Sequence, residues 1–253
     1  MKKYLQAFLK EKPFFFSIVR PKEASLYQQY KPFKKPILDL GCGDGFFAKI
    51  AFRRLDVGVD PDKQAVKEAK TRGTYKEVRT YDGKKIPYPG GYFATIVCNS
   101  TFEHIPNLKE VLSEVARVIK KDGMLYFTVP TNIWPKYLFG RLFLGRFYER
   151  FFVAKSKHYN LWTLGEWQKE LKKRDLEIIY STHYLDNKLV MWIFDISHYL
   201  SIFSLIAKKV FNRWVLFPQK SFLIRPIEDY ILKSTNVNSK KGPYMLIAAR
   251  KTK

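Results

Sequence analysis

A glycine-rich turn between a strand-like and a helix-like segment constrains this fold most. Residues 37–50 read ILDLGCGDGFFAKI, with Gly41, Gly43 and Gly45 at alternate positions. PILDL is typical of a short buried strand, and FFAKIAFRR has the apolar spacing of a helix. Glycines in such a turn allow positive φ and a close approach of the backbone to a ligand. In open parallel sheets, ligands bind beyond the carboxyl ends of the strands, so the turn predicts a site for a nucleotide-like cofactor.

Strand-like and helix-like segments alternate beyond this turn. DVGVD, YKEVRTYD, FATIVCNS and MLYFTVP have strand patterns, while PDKQAVKEAKTRG and LKEVLSEVARVIKKDG have helical spacing. A capped helix, TLGEWQKELKK, follows later in the chain and precedes the strand-like segments DLEIIYS and PYMLIAARK. Strands separated by helix-length segments favour a parallel sheet covered by helices on both faces. At 253 residues, one elaborated domain is expected rather than two.

Charge and aromatic content suggest what kind of surface the chain meets. The 46 Lys and Arg residues against 23 Asp and Glu give a formal net charge of +23, and 17% of the residues are aromatic. Such a surface attracts polyanions, whether nucleic acid, an anionic bilayer or a phosphorylated substrate. The high aromatic content favours a membrane surface. The two cysteines are too few for a disulfide framework, which predicts a cytoplasmic protein.

The motifs that follow the glycine turn narrow the choice of cofactor. A dinucleotide fingerprint requires glycine at position 46, where Phe46 stands, so NAD is disfavoured. The motifs DLGCGDG, VGVDPD, YDGKKIPYP and NSTFEHIP occur in this order, and together they resemble those of the class I S-adenosylmethionine-dependent methyltransferases. The similarity is greatest to the type 11 group. It covers residues 36–131 well and the helix and strands after residue 158 more loosely.

This resemblance implies S-adenosylmethionine as the cofactor and assigns residues to it. Asp60, at the end of the second strand, would accept hydrogen bonds from the ribose hydroxyls. Asp82 would accept from the adenine amino group, and Asp39 would face the ammonium group. Asn99 and Ser100 would line the sulfonium end. The other predicted cofactor-binding residues are Gly41, Cys42, Gly43, Gly45, Pro61 and Gly83.

Two histidines are candidates for catalysis. His104, just past the fourth strand, resembles the histidine of the Glu-His pair in quinone-precursor O-methyltransferases and could accept a proton near neutral pH. His158 lies in HYNLWTLGEW, which resembles the segment that closes over the acceptor in this family. The alternative for each is a structural hydrogen bond within its loop. No Cys, His, Asp and Glu spacing is typical of a zinc or magnesium site, so no metal is predicted.

The most apolar segment of the chain, LVMWIFDISHYLSIFSLIAKKVF, allows three interpretations. Asp195 and His198 argue against a helix that spans a membrane. A buried core or lid helix and a helix in the membrane interface remain, and the interface is favoured because cations follow the apolar run. Read as a helix, the segment has a polar face of Ser197, Ser201, Ser204 and Lys208, and an apolar face of Ile196, Tyr199, Leu200, Phe203, Ile206 and Val210.

These observations predict an α/β protein with a Rossmann-like, seven-stranded, mostly parallel sheet whose last strand is antiparallel. The core would comprise residues 36–132, 159–183 and 242–252, and a helical, aromatic-rich cap would comprise residues 133–157 and 184–236. We expect methyl transfer, favouring O-methylation of a lipid-linked, isoprenoid or glycan acceptor by a cytoplasmic protein peripheral to an anionic membrane. The alternatives are a soluble small-molecule methyltransferase, an RNA methyltransferase, which is less favoured, and a non-catalytic protein that binds membrane or nucleic acid.

Overall fold

The computed structural model, which describes residues 1–216, 225–234, 239 and 241–253, is built around one seven-stranded sheet. Its strands are β1 (Ile37–Leu40), β2 (Leu55–Asp60), β3 (Tyr75–Thr80), β4 (Phe93–Asn99), β5 (Ile119–Pro130), β6 (Leu176–Tyr184) and β7 (Tyr244–Lys251). They lie in the order β3-β2-β1-β4-β5-β7-β6, with the first five parallel and β7 antiparallel to both neighbours. The predicted sheet, including its antiparallel last strand, is confirmed.

Helices cover both faces of this sheet, as predicted. The helices in chain order are α1 (Lys2–Glu11), α2 (Phe14–Leu26), α3 (Phe46–Ala51), α4 (Lys63–Thr71), α5 (Leu108–Val118), α6 (Arg141–Lys155), α7 (Leu164–Lys172), α8 (Lys188–Leu200), α9 (Ile202–Phe211) and α10 (Arg225–Ser234). On one face, α5 and α7 bury Val115 and Trp167. On the other, α2, α6 and α8 bury Ile18, Phe152 and Phe194. The turn glycines therefore lie at the carboxyl edge of a sheet that is enclosed on both sides.

One helix is shorter than its sequence pattern predicts. LKEVLSEVARVIKKDG has helical spacing up to Gly123, but α5 ends at Val118 and β5 begins at the next residue. Ile119 pairs with Phe93 and is buried, while the polar residues that follow bulge out before regular pairing resumes at Met124. Pairing with β4 therefore places Ile119 in the sheet, although its spacing would continue the apolar face of α5.

The N-terminal segment, to which the sequence assigned no role, packs over the glycine turn and the carboxyl end of β4. The rings of Phe8 in α1 and Phe46 in α3 meet edge to face at 5.0 Å, and Lys12 forms an ion pair with Asp44 in the turn. Helix α2 is buried along most of its length, including the charged residue Glu23. The helices that cover the site therefore include residues 2–26, which precede the predicted core in the sequence.

The two predicted cap segments carry the remaining helices. Residues 133–157 form a short 3₁₀ helix and α6, which is broken at Gly145, where φ is +53°. Residues 184–236 form α8, α9 and α10, with positions 217–224 and 235–236 outside the described residues. Asp195 of α8 joins the two segments, because it accepts hydrogen bonds from Tyr148 Oη at 2.6 Å and from the Gly140 backbone at 3.0 Å. This carboxylate is buried in the protein.

Candidate functional site

The glycine turn forms an open cradle at the carboxyl end of β1. Gly41 and Gly43 have φ of +78° and +52°, values that residues with a side chain rarely adopt. A β-carbon on Gly43 would meet no atom within 4 Å, so its backbone borders open space. A β-carbon on Gly41 would instead collide with Thr101. The turn thus exposes its backbone to open space at Gly43 and packs its backbone against Thr101, after β4, at Gly41.

Asp60 connects the glycine turn to the end of β2. Its Oδ2 accepts a hydrogen bond from Gly43 N at 2.8 Å, and its Oδ1 accepts one from Asp62 N at 2.9 Å. Partial burial raises the pKa of Asp60, although these two bonds oppose the shift. Asp60 therefore lies beside the cradle, as predicted. The carboxylate orders the turn whether or not it also binds a ribose.

Asp82 and Gly83 lie at the neighbouring strand end. Tyr81 N donates to the Asp60 carbonyl oxygen at 3.3 Å, which places the residues after β3 next to the end of β2. The Asp82 side chain is exposed and accepts from Lys84 N and Lys85 N, and these bonds lower its pKa. Pro61 is also exposed at this edge. The predicted adenosine-binding residues therefore share one open edge of the sheet.

Three predicted cofactor-binding residues contact Tyr75 of β3 or the apolar cluster beside it. Asp39 is buried and accepts a hydrogen bond from Tyr75 Oη at 2.6 Å, and burial raises its pKa to about 7. The Cys42 side chain is buried in a small apolar cluster. A β-carbon on Gly45 would lie 3.2 Å from atoms of both Ala69 and Tyr75. The Asp39 and Cys42 side chains and the Gly45 backbone therefore pack the strand end and the turn against β3 and α4.

Asn99 and Ser100 lie at the end of β4 and bond to the N-terminal helix. Asn99 Nδ2 donates to Glu23 Oε2 at 2.8 Å, and Ser100 Oγ donates to Glu23 Oε1 at 3.0 Å. Ser100 has a φ of +46°, an uncommon value for a residue with a side chain. Glu23 also accepts hydrogen bonds from Arg20 at 2.8 Å and from Tyr184 at 2.9 Å. One buried carboxylate thus organises the strand end where the sulfonium is expected.

A partly open cavity of about 260 Å³ lies next to Ser100. Six of its fourteen lining residues are phenylalanine, tryptophan or tyrosine, and α2, α6, α8 and β7 all contribute to the wall. Its polar lining consists of Arg20, Ser100, Glu103, Ser156, three histidines and Tyr244, and its apolar lining of Phe15, Phe16, Val19, Trp134, Phe152 and Phe194. Small-molecule sites typically combine an apolar enclosure with a few converging polar groups. This cavity has that composition, and we call it the acceptor cavity because the sequence predicts that an acceptor binds beside His104.

The structure brings the two candidate histidines together in the acceptor cavity. The rings of His104 and His158 lie 5.0 Å apart. His104 Nδ1 lies 3.2 Å from the carbonyl oxygen of Lys157, which favours a proton on Nδ1 and leaves Nε2 with a lone pair. Desolvation lowers the pKa of His104, and it lowers that of His158 to about 3. Both rings are therefore neutral at pH 7, and His104 Nε2 can accept a proton.

Glu103 gives the cavity a buried acid. Burial raises its pKa to about 8, and its Oε2 has no hydrogen-bond partner among the described residues. One ligand atom from each of Glu103, His104 and His158 lies within 4.8 Å of the others, a set that could hold a metal ion. The sequence predicted no metal site because these residues come from two distant segments. No other group of three such side chains in the described ranges has this proximity.

Comparison with known proteins supports the predicted resemblance and the enzyme class. Residues 38–127 match the family model of a methyltransferase domain, type 11. An S-adenosylmethionine-dependent methyltransferase from Thermotoga maritima, described as a possible histamine N-methyltransferase, has the same fold, with a TM-score of 0.61 at 17% identity over 98% of this chain and 94% of that one. The chain is an S-adenosylmethionine-dependent methyltransferase, and its match to the type 11-like group covers residues 38–127. The predicted enzyme class and cofactor, S-adenosylmethionine, are confirmed.

Sequence relatives of the methyltransferase include both uncharacterized and assigned proteins. An uncharacterized protein of Methanocaldococcus jannaschii is 27% identical over 70% of this chain and 77% of its own length. Ubiquinone biosynthesis O-methyltransferases from Yersinia enterocolitica and Neisseria meningitidis serogroup A are 30% and 26% identical over 38% and 56% of this chain. The methyltransferase spans only 43% and 60% of those two enzymes.

The residues that the sequence did not anticipate come mainly from outside the family match. Arg20 and Glu23 belong to α2, and His198 lines the acceptor cavity from α8. His198 packs against Phe15 at 4.7 Å between ring centroids. A local sign of this wall is the run PFFFSIVR at residues 13–20, which combines aromatic residues with an arginine. In the methyltransferase, this run forms a wall of the acceptor cavity.

Proposed function

We propose that this methyltransferase methylates a hydroxyl group of an amphiphilic acceptor, lipid-linked, isoprenoid or glycan, while docked at the cytoplasmic surface of a membrane. The observation that carries this proposal is the outward apolar face of α8 and α9. All six residues that the helical pattern groups on that face, Ile196, Tyr199, Leu200, Phe203, Ile206 and Val210, are exposed. The serine face, by contrast, turns towards the protein, with Ser197 buried.

This polarity is the reverse of that expected for a surface helix of a soluble protein. Phe203 is 71% exposed, whereas Asp195 is 1% exposed. Contiguous exposed apolar surface of this kind typically marks an interaction site for protein or membrane. No single helix in the described part of the chain is long and apolar enough to cross a membrane, whereas α8 and α9 together reach that length and composition across a 45° bend.

Helix α6 presents a second face of the same character. Phe143 and Phe147 are 73% and 71% exposed. Arg146 and Arg150 are also exposed, and neither has an acidic partner within 4.0 Å among the described residues. Apolar side chains inserted among lipids, with cations over anionic headgroups, are the features of an interfacial helix. Since α6 and α8 both line the acceptor cavity, the two exposed faces adjoin its walls.

The chemistry proposed for the site uses a bound cofactor and one proton acceptor. When bound, S-adenosylmethionine supplies an electrophilic methyl group. A hydroxyl acceptor gains from a base, and His104 Nε2 can take its proton because Nδ1 faces the Lys157 carbonyl oxygen. The aromatic wall holds the acceptor and excludes water from the cleft. The relatives that methylate oxygen in ubiquinone biosynthesis support this proposal for the acceptor atom.

Vesicle flotation tests the membrane part of the proposal. The protein should float with vesicles of phosphatidylcholine containing phosphatidylglycerol and less with phosphatidylcholine alone. Replacing Phe147 and Phe203 by Ser should weaken binding at least tenfold, because each buried phenylalanine contributes about 1.5–3 kcal/mol. Tyr92→Ser is the matched control, because Tyr92 is 40% exposed but precedes β4, at the opposite end of the sheet.

The same protein variants and vesicles also distinguish the alternative functions. Unchanged flotation of the double variant would remove the interfacial face from the proposal. Binding to transfer RNA but not to vesicles would favour RNA methylation, and binding to neither would favour a soluble small-molecule acceptor. Calorimetric titration with S-adenosylmethionine accompanies each assay. A protein that floats but does not bind the cofactor would be a non-catalytic membrane protein with this fold.

A further inference from the structure

Arg20 reaches the acceptor cavity with most of its hydrogen-bonding capacity unused. Its Nη1 donates to Glu23 Oε2 at 2.8 Å, and the guanidinium lies 5.8 Å from the ring centroid of Phe16. No other hydrogen bond from this side chain is found within the described ranges. A guanidinium has five N–H donors in a planar fork that matches a carboxylate or a phosphate. The side chain is 20% exposed and lines the cavity, so its free donors are open to a ligand.

The rim of the cavity is basic. Lys155 and Lys157 flank Ser156, which lines the cavity, and both lysines are exposed. Neither lysine has an acidic partner within 4.0 Å in the described part of the chain. Lys155 Nζ instead lies 4.3 Å from the ring centroid of Tyr199, on the apolar face of α8. An anion that enters from this side meets unpaired cations before it meets Arg20.

A second unpaired polar group points to a ligand oxygen. Glu103 has a side chain 3% exposed, lines the same cavity, and its Oε2 lacks a partner among the described residues. Buried polar atoms in folded proteins are nearly always hydrogen-bonded, so this atom needs either a ligand or water. A bond from this atom to an oxyanion requires a proton on the carboxyl group, which then donates to the ligand oxygen.

We infer that the acceptor cavity contains an oxyanion subsite, in which Arg20 binds a carboxylate or phosphate group of the acceptor and Glu103 bonds to the same group. The aromatic wall holds the rest of the molecule, and His104 lies in reach of its hydroxyl. The acceptor is therefore an anionic amphiphile. This inference rests on the proposed function, since it assigns the cavity to the acceptor.

Binding of three one-ring probes to the full chain, with S-adenosylhomocysteine present, tests the subsite. Phenyl phosphate, benzoate and phenol differ in their charge and in the shape of the oxyanion. At least one anion should bind at least tenfold more tightly than phenol, and comparing the two anions distinguishes phosphate from carboxylate. Arg20→Met should abolish the preference, and Arg20→Lys should retain part of it, because lysine keeps the charge without the fork.

Arg54→Met is the control, because Arg54 is exposed just before β2 and has no acidic partner among the described residues, so it changes the net charge without touching the cavity. Cofactor affinity, measured on every variant, shows that the fold is intact. Equal binding of phenol and both anions, no binding of any probe, or a preference that survives Arg20→Met would each overturn the subsite. Anion preference without vesicle flotation would keep the subsite and remove the membrane. Flotation without anion preference would overturn the subsite and keep the membrane surface.

Discussion

Ser100 Oγ lies 3.0 Å from the carboxylate of Glu23, although the two residues are 77 positions apart in sequence. Ser100 directly follows β4 and lines the acceptor cavity, and Glu23 belongs to α2. The same carboxylate holds Asn99, Tyr184 and Arg20. The N-terminal helix is therefore part of the site, and a single buried acid connects the cofactor end of the cleft with the acceptor end.

Replacing this acid by its amide should loosen the site. Glu23→Gln keeps the side-chain shape, but its NH₂ group would face a donor from Arg20, Asn99 or Ser100. Since hydrogen bonds to charged groups contribute about 1.5–3 kcal/mol, we expect a loss of that order in the free energy of unfolding, measured in urea. Glu11→Gln, at a half-exposed ion pair with Arg72, is the control and should cost far less. Equal losses would mean that Glu23 is not a centre of the network.

Asp60 should prove important for cofactor affinity. Its carboxylate bonds to Gly43 N in the cradle, so Asp60→Ala would remove both the proposed ribose acceptor and an anchor of the turn. We expect cofactor binding to weaken by about 1–3 kcal/mol, measured by calorimetry with S-adenosylmethionine. Asp62→Ala is the neighbouring control, because Asp62 caps α4 through Gln64 N and does not contact the turn. Unchanged affinity in the Asp60 variant would refute the ribose assignment.

His104 should act as a base, with a characteristic pH dependence. His104→Ala should lower kcat about a hundredfold or more while cofactor affinity stays the same. Desolvation lowers the pKa of His104 from its ordinary value near 6.5, so kcat should fall as the pH drops through a value below that and stay level at neutral pH. His183→Ala, on β6 and outside the acceptor cavity, is the control. A near-normal kcat in the His104 variant would leave this histidine with a structural role.

Much of the fold could be predicted because its signals are local. Each strand pattern, each helix pattern and the three turn glycines can be recognised within a short stretch of sequence. The capping box of Thr163 and Glu166, for example, begins α7 where the pattern predicts. The end of α5 was not predictable, since pairing between Ile119 and Phe93 is a long-range contact that overrides helical spacing. Neither was the role of α2, because an apolar run does not show which surface it will cover.

The acceptor side of the site could likewise be predicted only in part, because long-range contacts arrange it. The helical period separates a serine face from an apolar face in residues 189–207, but it does not say which face turns outward. That direction depends on Asp195, which is bound to Tyr148 and holds α8 against α6. His104 and His158 were each predicted from their own motifs. Their proximity, and the buried Glu103 beside them, arise only when the segment after α6 folds back on β4.

Glu103 should make the protein less stable as the pH rises. Burial raises its pKa from 4.5 in the unfolded chain to about 8 in the folded one, so between these values the folded state keeps a proton that the unfolded state has lost. The stabilisation is complete below pH 4.5 and is lost as the pH rises through 8. The free energy of unfolding, measured in urea at pH 5 and pH 8, should therefore decline more in the native protein than in Glu103→Gln.

The variant is informative because the histidines titrate in both proteins, so the difference between the two slopes belongs to Glu103. Glu110→Gln, exposed on α5, should leave the slope unchanged. The competing explanation is a divalent ion shared by Glu103, His104 and His158. In that case Glu103 would be ionised, EDTA would destabilise the native protein at pH 8, and Mn²⁺ or Zn²⁺ would restore its stability but not that of Glu103→Gln. A steeper decline that is insensitive to EDTA instead identifies Glu103 as a buried acid that keeps its proton.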